Sequence, residues 1–214
     1  VSAPPKALPF NILDDCKISC VMTNISKIES LDSRREIIVL DNIDKDIFQL
    51  ESEDFVTLNI SSNNCAAIIY SSGSTGFPKG IVLSHKNLFD GARIVSNYTK
   101  LNSNDVISGV LAFDFDAGLN QLYCSLYNGA TLALHRYFLP NNFFKYLVDC
   151  KVTVLALMPI FLNRMFDKNM ISNIDVFSLC SVKTITSTGG RVTPKMMSDI
   201  EKYFKNSDFY SMYG

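Results

Sequence analysis

Residues 65–88 read CAAIIYSSGSTGFPKGIVLSHKNL. An apolar, β-branched run, Ala66 to Tyr70, enters a ten-residue segment, 71–80, that holds four hydroxyl residues, three Gly, one Pro and one Lys. Apolar residues resume at Ile81. Glycine permits positive φ and lets backbone N–H groups approach an anion closely, while Ser71, Ser72, Ser74 and Thr75 add hydroxyl donors. Lys79 adds a point charge and Pro78 stiffens the exit. Together these properties suit a phosphate cradle. The order is not that of a Walker A loop, because Lys79 precedes Gly80 and strand-like residues follow it, and no G-x-G-x-x-G is present. A plain Ser/Gly linker is the bland alternative; it fits poorly with a Lys inside the loop and a strand on either side.

Outward from this segment, short apolar runs recur at Ile18–Met22, Ile37–Leu40, Val106–Leu111, Thr131–Leu134, Val152–Leu157, Val182–Thr186 and Phe209–Met212. Each reads as a buried strand. Segments with helical period lie between most of them. From Asp116 to Asn128, the residues Leu119, Leu122, Tyr123, Leu126 and Tyr127 follow the spacing of a core-facing stripe. Thr193 followed by Pro194 is a helix start, with Met196, Met197, Ile200 and Phe204 as its buried face. Alternating strands and helices predict an α/β fold with mostly parallel sheets, flanking helices and right-handed crossovers. Residues 1–64 read as a partial leading subdomain with a connector, and 65–214 as the core that carries the loop at 70–81.

Composition narrows the function classes. The chain has 214 residues, 47% hydrophobic and 19% charged, enough to bury a large core and far from disordered or collagen-like classes. Twenty basic against twenty-one acidic residues give a net charge of -1, with no basic stripe for a nucleic-acid backbone. No apolar run reaches the roughly 18 residues of a membrane span, and the start, VSAPPKALPF, lacks the pattern of a secretion signal, so a cytoplasmic location is expected. Cys16, Cys20, Cys65, Cys124, Cys150 and Cys180 are scattered, as expected of reduced core cysteines, and no metal-site spacing is visible. His85 and His135 read as structural. Only ten residues are Gly, against about fifteen at an average usage of roughly 7%. Six of the ten fall in two short segments, Gly73, Gly76 and Gly80, then Gly189, Gly190 and Gly214. The start at Val1 and the stop at Gly214 are expected to be cut ends of a longer chain.

YSSGSTGFPKGI, residues 70–81, closely resembles the signature phosphate loop of the adenylate-forming superfamily, which comprises acyl- and aryl-CoA ligases, luciferases and the adenylation domains of nonribosomal peptide synthetases. LSHKNL is similar to the helix start that follows it, with Ser84 as N-cap. LPFNILDDCKISCVMTN resembles a helix with an acidic pair leading to a strand. FDFDAGLNQLYCSLYNGATLAL resembles the family's aromatic-acid motif, helix and Gly-Ala turn, and VTVLALMPIFLNRMF a segment whose Pro begins a pocket-side helix. VKTITSTGGRVTPKMMSDIEKYF and DFYSMYG resemble the adenine loop and the start of a Tyr-Gly-x-Thr-Glu motif. The Thr and Glu of that motif, and the family's catalytic Lys, are not in this sequence.

The resemblance implies formation of an acyl-adenylate from ATP and a carboxylic acid, with release of pyrophosphate and transfer of the acyl group to the thiol of CoA or a carrier protein. An acyl-CoA synthetase-like ligase is the first reading. An amino-acid-activating domain and a non-catalytic nucleotide-binding module are the alternatives. Ser71, Ser72, Gly73, Ser74, Thr75, Gly76 and Lys79 would embrace the β- and γ-phosphates. Gly189, Gly190 and Tyr213 would hold adenine, the tyrosine by stacking. Mg2+ is implied without a ligand in this chain. Asp116, Ala117 and Asn120, on one face of their helix by spacing, would line the acyl pocket with Ala156, Thr186, Thr188 and Met212. Asp116 aligns with the family's Asp that pairs with an α-amino group; capping of the helix is its other reading.

Overall fold

The computed structural model describes residues 12–26, 35–42, 59–71, 78–135, 140–166 and 181–213. It divides into two compact units, residues 1–60 with 70–81, and residues 61–69 with 82–214.

In the first unit a short helix, α1 (Ile12–Asp15), precedes β1 (Cys20–Thr23), and β2 (Glu36–Val39) runs into a 3-10 turn at Leu40–Asn42. The two strands pair in parallel, with Cys20 opposite Glu36 and Thr23 opposite Val39. The Arg35 guanidinium ties the pieces together, donating to the Asp14 carboxylate and to the Ile18 carbonyl. The Tyr70 hydroxyl donates to the Asp15 carboxylate and lies 3.0 Å from Cys16 Sγ. Those two hydrogen bonds, Asp15 first, raise its pKa.

β3 (Cys65–Ser71) and β4 (Lys79–Ser84) form a two-stranded sheet, and the division between the units passes through both. α2 (His85–Thr99) starts at the expected cap: Ser84 Oγ accepts from Asn87 N–H while Asn87 Oδ1 accepts from Ser84 N–H. Such a reciprocal pair satisfies two amides that the first turn leaves without helical partners.

The second unit is built on a five-stranded parallel sheet, β5 (Val106–Gly109), β6 (Thr131–Leu134), β7 (Val154–Leu157), β8 (Thr184–Ser187) and β9 (Asp208–Ser211), in spatial order β6-β5-β7-β8-β9. α3 (Asp116–Asn128) links β5 to β6, α4 (Pro140–Asp149) links β6 to β7, α5 (Pro159–Met165) follows β7 and α6 (Pro194–Tyr203) precedes β9. Helices cover both faces. On one face α4, α5 and α6 bury Phe143, Leu147, Leu162, Met165 and Ile200 against Leu155, Leu157 and Ile185 of the strands. On the other, Ala92 and Val95 of α2 and Cys124 of α3 pack on Ile107 and Val154. Alternate residues of one strand therefore serve opposite cores, Leu155 and Leu157 one side, Val154 and Ala156 the other, as the period of two requires.

Several expectations need correction. The helix Asp116–Asn128 has the expected bounds, but its buried residues are Gly118, Gln121, Cys124 and Ser125, while Leu126 is 67% and Tyr127 42% exposed. The small face wins because α3 approaches the β5–α3 loop closely: a Cβ on Gly118 would lie 2.0 Å from the Ala112 carbonyl oxygen. β7 and β8 begin at Val154 and Thr184, two residues later than the apolar runs, although Val152 and Val182 are buried. Met196 is not core: its sulfur accepts from Thr193 N–H in the α6 cap. Among the described cysteines, all free, only Cys124 is buried; Cys65 and Cys150 are exposed. Cys180 lies outside the described residues.

Candidate functional site

In the strand order β6-β5-β7-β8-β9, the chain leaves β5 toward β6 and then returns to β7 on the opposite side. Such a reversal opens a crevice beyond the carboxyl ends of the strands, where ligands of open α/β sheets bind. Here β5 and β7 share one paired position, Ile107 with Val154, where every other neighbouring pair in this sheet shares four. Side chains supply bonds across the splayed strands: Val106 N–H donates to Thr153 Oγ1 at 2.9 Å, and Ala156 N–H to Ser108 Oγ at 3.2 Å. The Ser108 carbonyl accepts from Gln121 Nε2 of α3 at 2.8 Å.

A cavity of about 210 Å³ occupies the space between α2, α3 and this face of the sheet. Its floor is Leu101, Ile107 and Val154, its middle Ala156, Thr186, Asn120, Gln121 and Cys124, and its mouth Leu111, Asp116, Ala117, Thr188, Met212 and Tyr213. The levels follow the parallel register, since Val154 lies opposite Thr184 and Ala156 opposite Thr186. Two steps of two residues separate floor from mouth, about 13 Å at the usual strand rise. The lining is mostly apolar, with short neutral polar groups at mid-depth.

Asp116, Ala117, Asn120, Ala156, Thr186, Thr188 and Met212 all line this one cavity. Asp116 does not cap α3. Phe115 holds the N-cap position without a side-chain bond, and Asp116 is the first helical residue, exposed at the cavity mouth, with Oδ1 accepting from Ala117 N–H at 2.7 Å. No cation is paired with it among the described residues. Sequence reading missed Gln121, Cys124 and Leu111. The signal was present in the spacing of Gly118, Gln121 and Ser125, small or polar residues one turn apart.

Gly189 and Gly190 directly follow Thr188 at the end of β8, and Tyr213 follows Met212 at the end of the neighbouring β9, where Met212 N–H still donates to Ser187 O at 2.8 Å. Gly189 has φ +76°, a conformation that disfavours any side chain, and both glycines are exposed. The Tyr213 ring is fully exposed. α5 starts at Pro159 as expected but belongs to the opposite core and does not line the cavity, so it is not a pocket-side helix. Of the loop residues, Ser71 ends β3 and Lys79 opens β4, both exposed and in the first unit. Ser72, Gly73, Ser74, Thr75 and Gly76 lie outside the described residues. Among the described residues no three His, Cys, Asp or Glu side chains converge as a metal site, and no described helix is long and apolar enough to cross a membrane. His135 is packed between Phe143 and Tyr146 and its pKa is lowered by burial.

The family model described as AMP-binding enzyme matches residues 5–214. The chain belongs to that family. It is similar to gramicidin S synthase 1 of Brevibacillus brevis, 22% identical over 98% of this chain and 18% of that protein. It is also similar to 4-coumarate:CoA ligase 1 of Petunia hybrida, 28% identical over 79% of this chain and 31% of the relative. The chain thus spans less than a third of either. Among solved structures, the nonribosomal peptide synthetase FmoA3 covers the whole chain with a TM-score of 0.83 at 19% identity, over 22% of its own length. ATP-bound MatB from Rhodopseudomonas palustris covers 94% of the chain and 41% of its own, with a TM-score of 0.78 at 22% identity. These likenesses establish the α/β fold of an AMP-binding enzyme.

Proposed function

We propose that the protein carrying this chain is an AMP-forming acid–thiol ligase whose acid is an amino acid with a side chain of modest size. One carboxylate oxygen of the acid attacks the α-phosphorus of ATP; the bond to the β-phosphate oxygen breaks, and pyrophosphate leaves with the electron pair. A thiol then attacks the acyl carbon and AMP departs. Most of the barrier to such a transfer is lowered by positioning and by electrostatic stabilisation.

The observation that carries the amino-acid reading is Asp116, a carboxylate with no cation among the described residues at the mouth of a mostly apolar cavity. A substrate ammonium there gains a charge-assisted hydrogen bond while its side chain is buried below. The cavity's depth of about 13 Å and its volume of about 210 Å³ suit one side chain better than a long acyl tail. This departs from the acyl-CoA synthetase-like first reading. That second reading keeps its support from the apolar lining and from the likeness to 4-coumarate:CoA ligase 1, and its acids would carry no ammonium.

Ser71, Ser72, Gly73, Ser74, Thr75, Gly76 and Lys79 are assigned to the phosphates of ATP on the strength of their composition and resemblance. Gly189 and Gly190 are assigned to adenine as bare backbone, and Tyr213 as an exposed flat ring. Among the described residues no three His, Cys, Asp or Glu side chains converge to hold Mg2+. The thiol is that of CoA or a carrier protein. Exchange of labelled pyrophosphate into ATP by the whole protein, over a panel of amino, aryl and aliphatic acids, tests the proposal. Exchange is expected with neutral amino acids of modest size; exchange with none of the acids overturns it, and exchange confined to acids without an amino group replaces it by the second reading.

A further inference from the structure

The Cys124 thiol, buried where α3 packs on α2, bonds a residue of the cavity wall. Asn128 Nδ2 of α3 donates to Ser96 Oγ of α2 at 2.7 Å, and Ser96 lowers the Cys124 pKa against the larger opposing effect of burial. Cys124 Sγ in turn lies 3.1 Å from Asn120 Oδ1, one helical turn back on α3, with a longer contact of 3.7 Å to the Ala92 carbonyl. Ser96 and Cys124 are 3% and 2% exposed. Burial pushes the Cys124 thiol up to about 11, so at neutral pH it keeps its proton and donates.

The consequence falls on Asn120. An Asn side chain has one acceptor end and one donor end, and the thiol occupies the acceptor. Nδ2 is left against Gly91 of α2, 3.2 Å from where a Cβ on that glycine would be, and makes no hydrogen bond among the described residues. It is not among the fully buried polar atoms that lack partners, so it keeps some exposed surface. Asn120 lines both the 210 Å³ cavity and a second one of about 130 Å³ bounded by Ile69, Leu83, Leu88 and Tyr123.

We propose that Cys124 is a positioning residue for substrate selection: its thiol fixes the Asn120 amide with Nδ2 turned to the substrate, so the acid selected carries a hydrogen-bond acceptor, an ether, carbonyl or hydroxyl oxygen, in its side chain. The inference rests on the functional reading above and adds to it the chemistry of the side chain. A wholly aliphatic acid would strip water from Nδ2 and return nothing, which is where the discrimination arises.

The test uses acids that differ by one oxygen at constant shape, O-methylserine against norvaline and 3-methoxypropanoate against pentanoate, in pyrophosphate exchange by the whole protein. The wild type is expected to favour the ether over its alkyl isostere in kcat/KM by roughly 3- to 10-fold. Cys124→Ser retains a donor and keeps that ratio within about twofold; Cys124→Ala lets the amide turn and lowers the ratio toward one, through KM with kcat little changed. Gly91→Ala, which favours helix and crowds Nδ2 from the α2 side, lowers the ratio without touching the thiol. A flat ratio in the wild type, a ratio unmoved by Cys124→Ala and Gly91→Ala, or one lost equally in Cys124→Ser overturns the inference. Absence of exchange with every acid overturns the functional reading first, and this inference with it.

Discussion

The two ends of the five-stranded sheet are opposites. At the amino ends of the strands, Asp105 is 2% exposed and collects Lys183 Nζ at 2.8 Å, Thr153 Oγ1 at 2.7 Å and Asn102 N–H at 2.9 Å. One carboxylate thus joins the starts of β5, β7 and β8, and Ser207 Oγ, donating to Val182 O, adds the start of β9. At the carboxyl ends the polar groups are left for something else: among the described residues Asp116 has no cation and Asn120 Nδ2 no acceptor, and Gly189 and Gly190 are bare. The closed end sets the strand spacing and the open end exploits it. Thr153 and Ser108 bridge β5 and β7, whose backbones share a single paired position beside the cavity.

The contrast can be broken from either end. The largest effect is expected from Gly118→Ala, because the added Cβ meets backbone at 2.0 Å with no flexible side chain to yield. Loss of about 3 kcal/mol or more is expected, read as a lowered urea midpoint together with loss of acid binding, since α3 carries the cavity wall.

Asp105→Ala attacks the closed end. It removes the carboxylate to which the Thr153 hydroxyl and the Asn102 amide donate, while Lys183, 44% exposed, returns to water. About 2–3 kcal/mol of stability is expected to go at pH 7, with acid affinity per folded molecule unchanged. The pH dependence has a definite sign. Burial opposes the Asp105 charge, but Lys183, Thr153 and the Asn102 amide outweigh it, and the folded pKa is lowered from 3.8. The Asp105 contribution is therefore present above the unfolded pKa and lost as pH falls through the folded one. Urea titrations at descending pH should show the wild-type advantage over Asp105→Ala shrinking below about pH 4. His135 acts in the same direction from about pH 6.5 downward, because burial lowers its pKa and protonation favours the unfolded chain.

Ser84→Ala removes the capping box of α2 and is expected to cost about 1 kcal/mol. Asp116→Asn, in contrast, should leave the urea midpoint within about 0.5 kcal/mol of wild type, since the exposed Asp116 makes no bond beyond its own turn.

The closed and open ends were also unequally legible in the sequence. The open end announced itself, because two of the scarce glycines, Gly189 and Gly190, fall there and the seven residues expected for an acyl pocket line one cavity. α3 and β6 have the bounds their patterns predict, as a clear period and a following Gly allow. The amino ends were blurred: Val152 and Val182 are fully buried ahead of the ladder, so apolar character ran two residues beyond pairing. The α3 face was misread for a related reason. Periodicity of Leu and Tyr marks a stripe but cannot say whether a stripe of Gly, Gln, Cys and Ser packs closer, and close approach at Gly118 decided that contest. Asp105 carried no signal at all in sequence, since its partners arrive from positions 153 and 183.

The central claim is that the open end holds an acid whose ammonium pairs with Asp116. It is tested most directly by pyrophosphate exchange of the whole protein with an amino acid and with its desamino analogue, in the wild type and in Asp116→Asn. The wild type should favour the amino acid, and the variant should lose that preference by about 10- to 100-fold, in line with a charge-assisted hydrogen bond, with the desamino acid unaffected. Equal losses for both acids, or a preference that survives in Asp116→Asn, would contradict the claim.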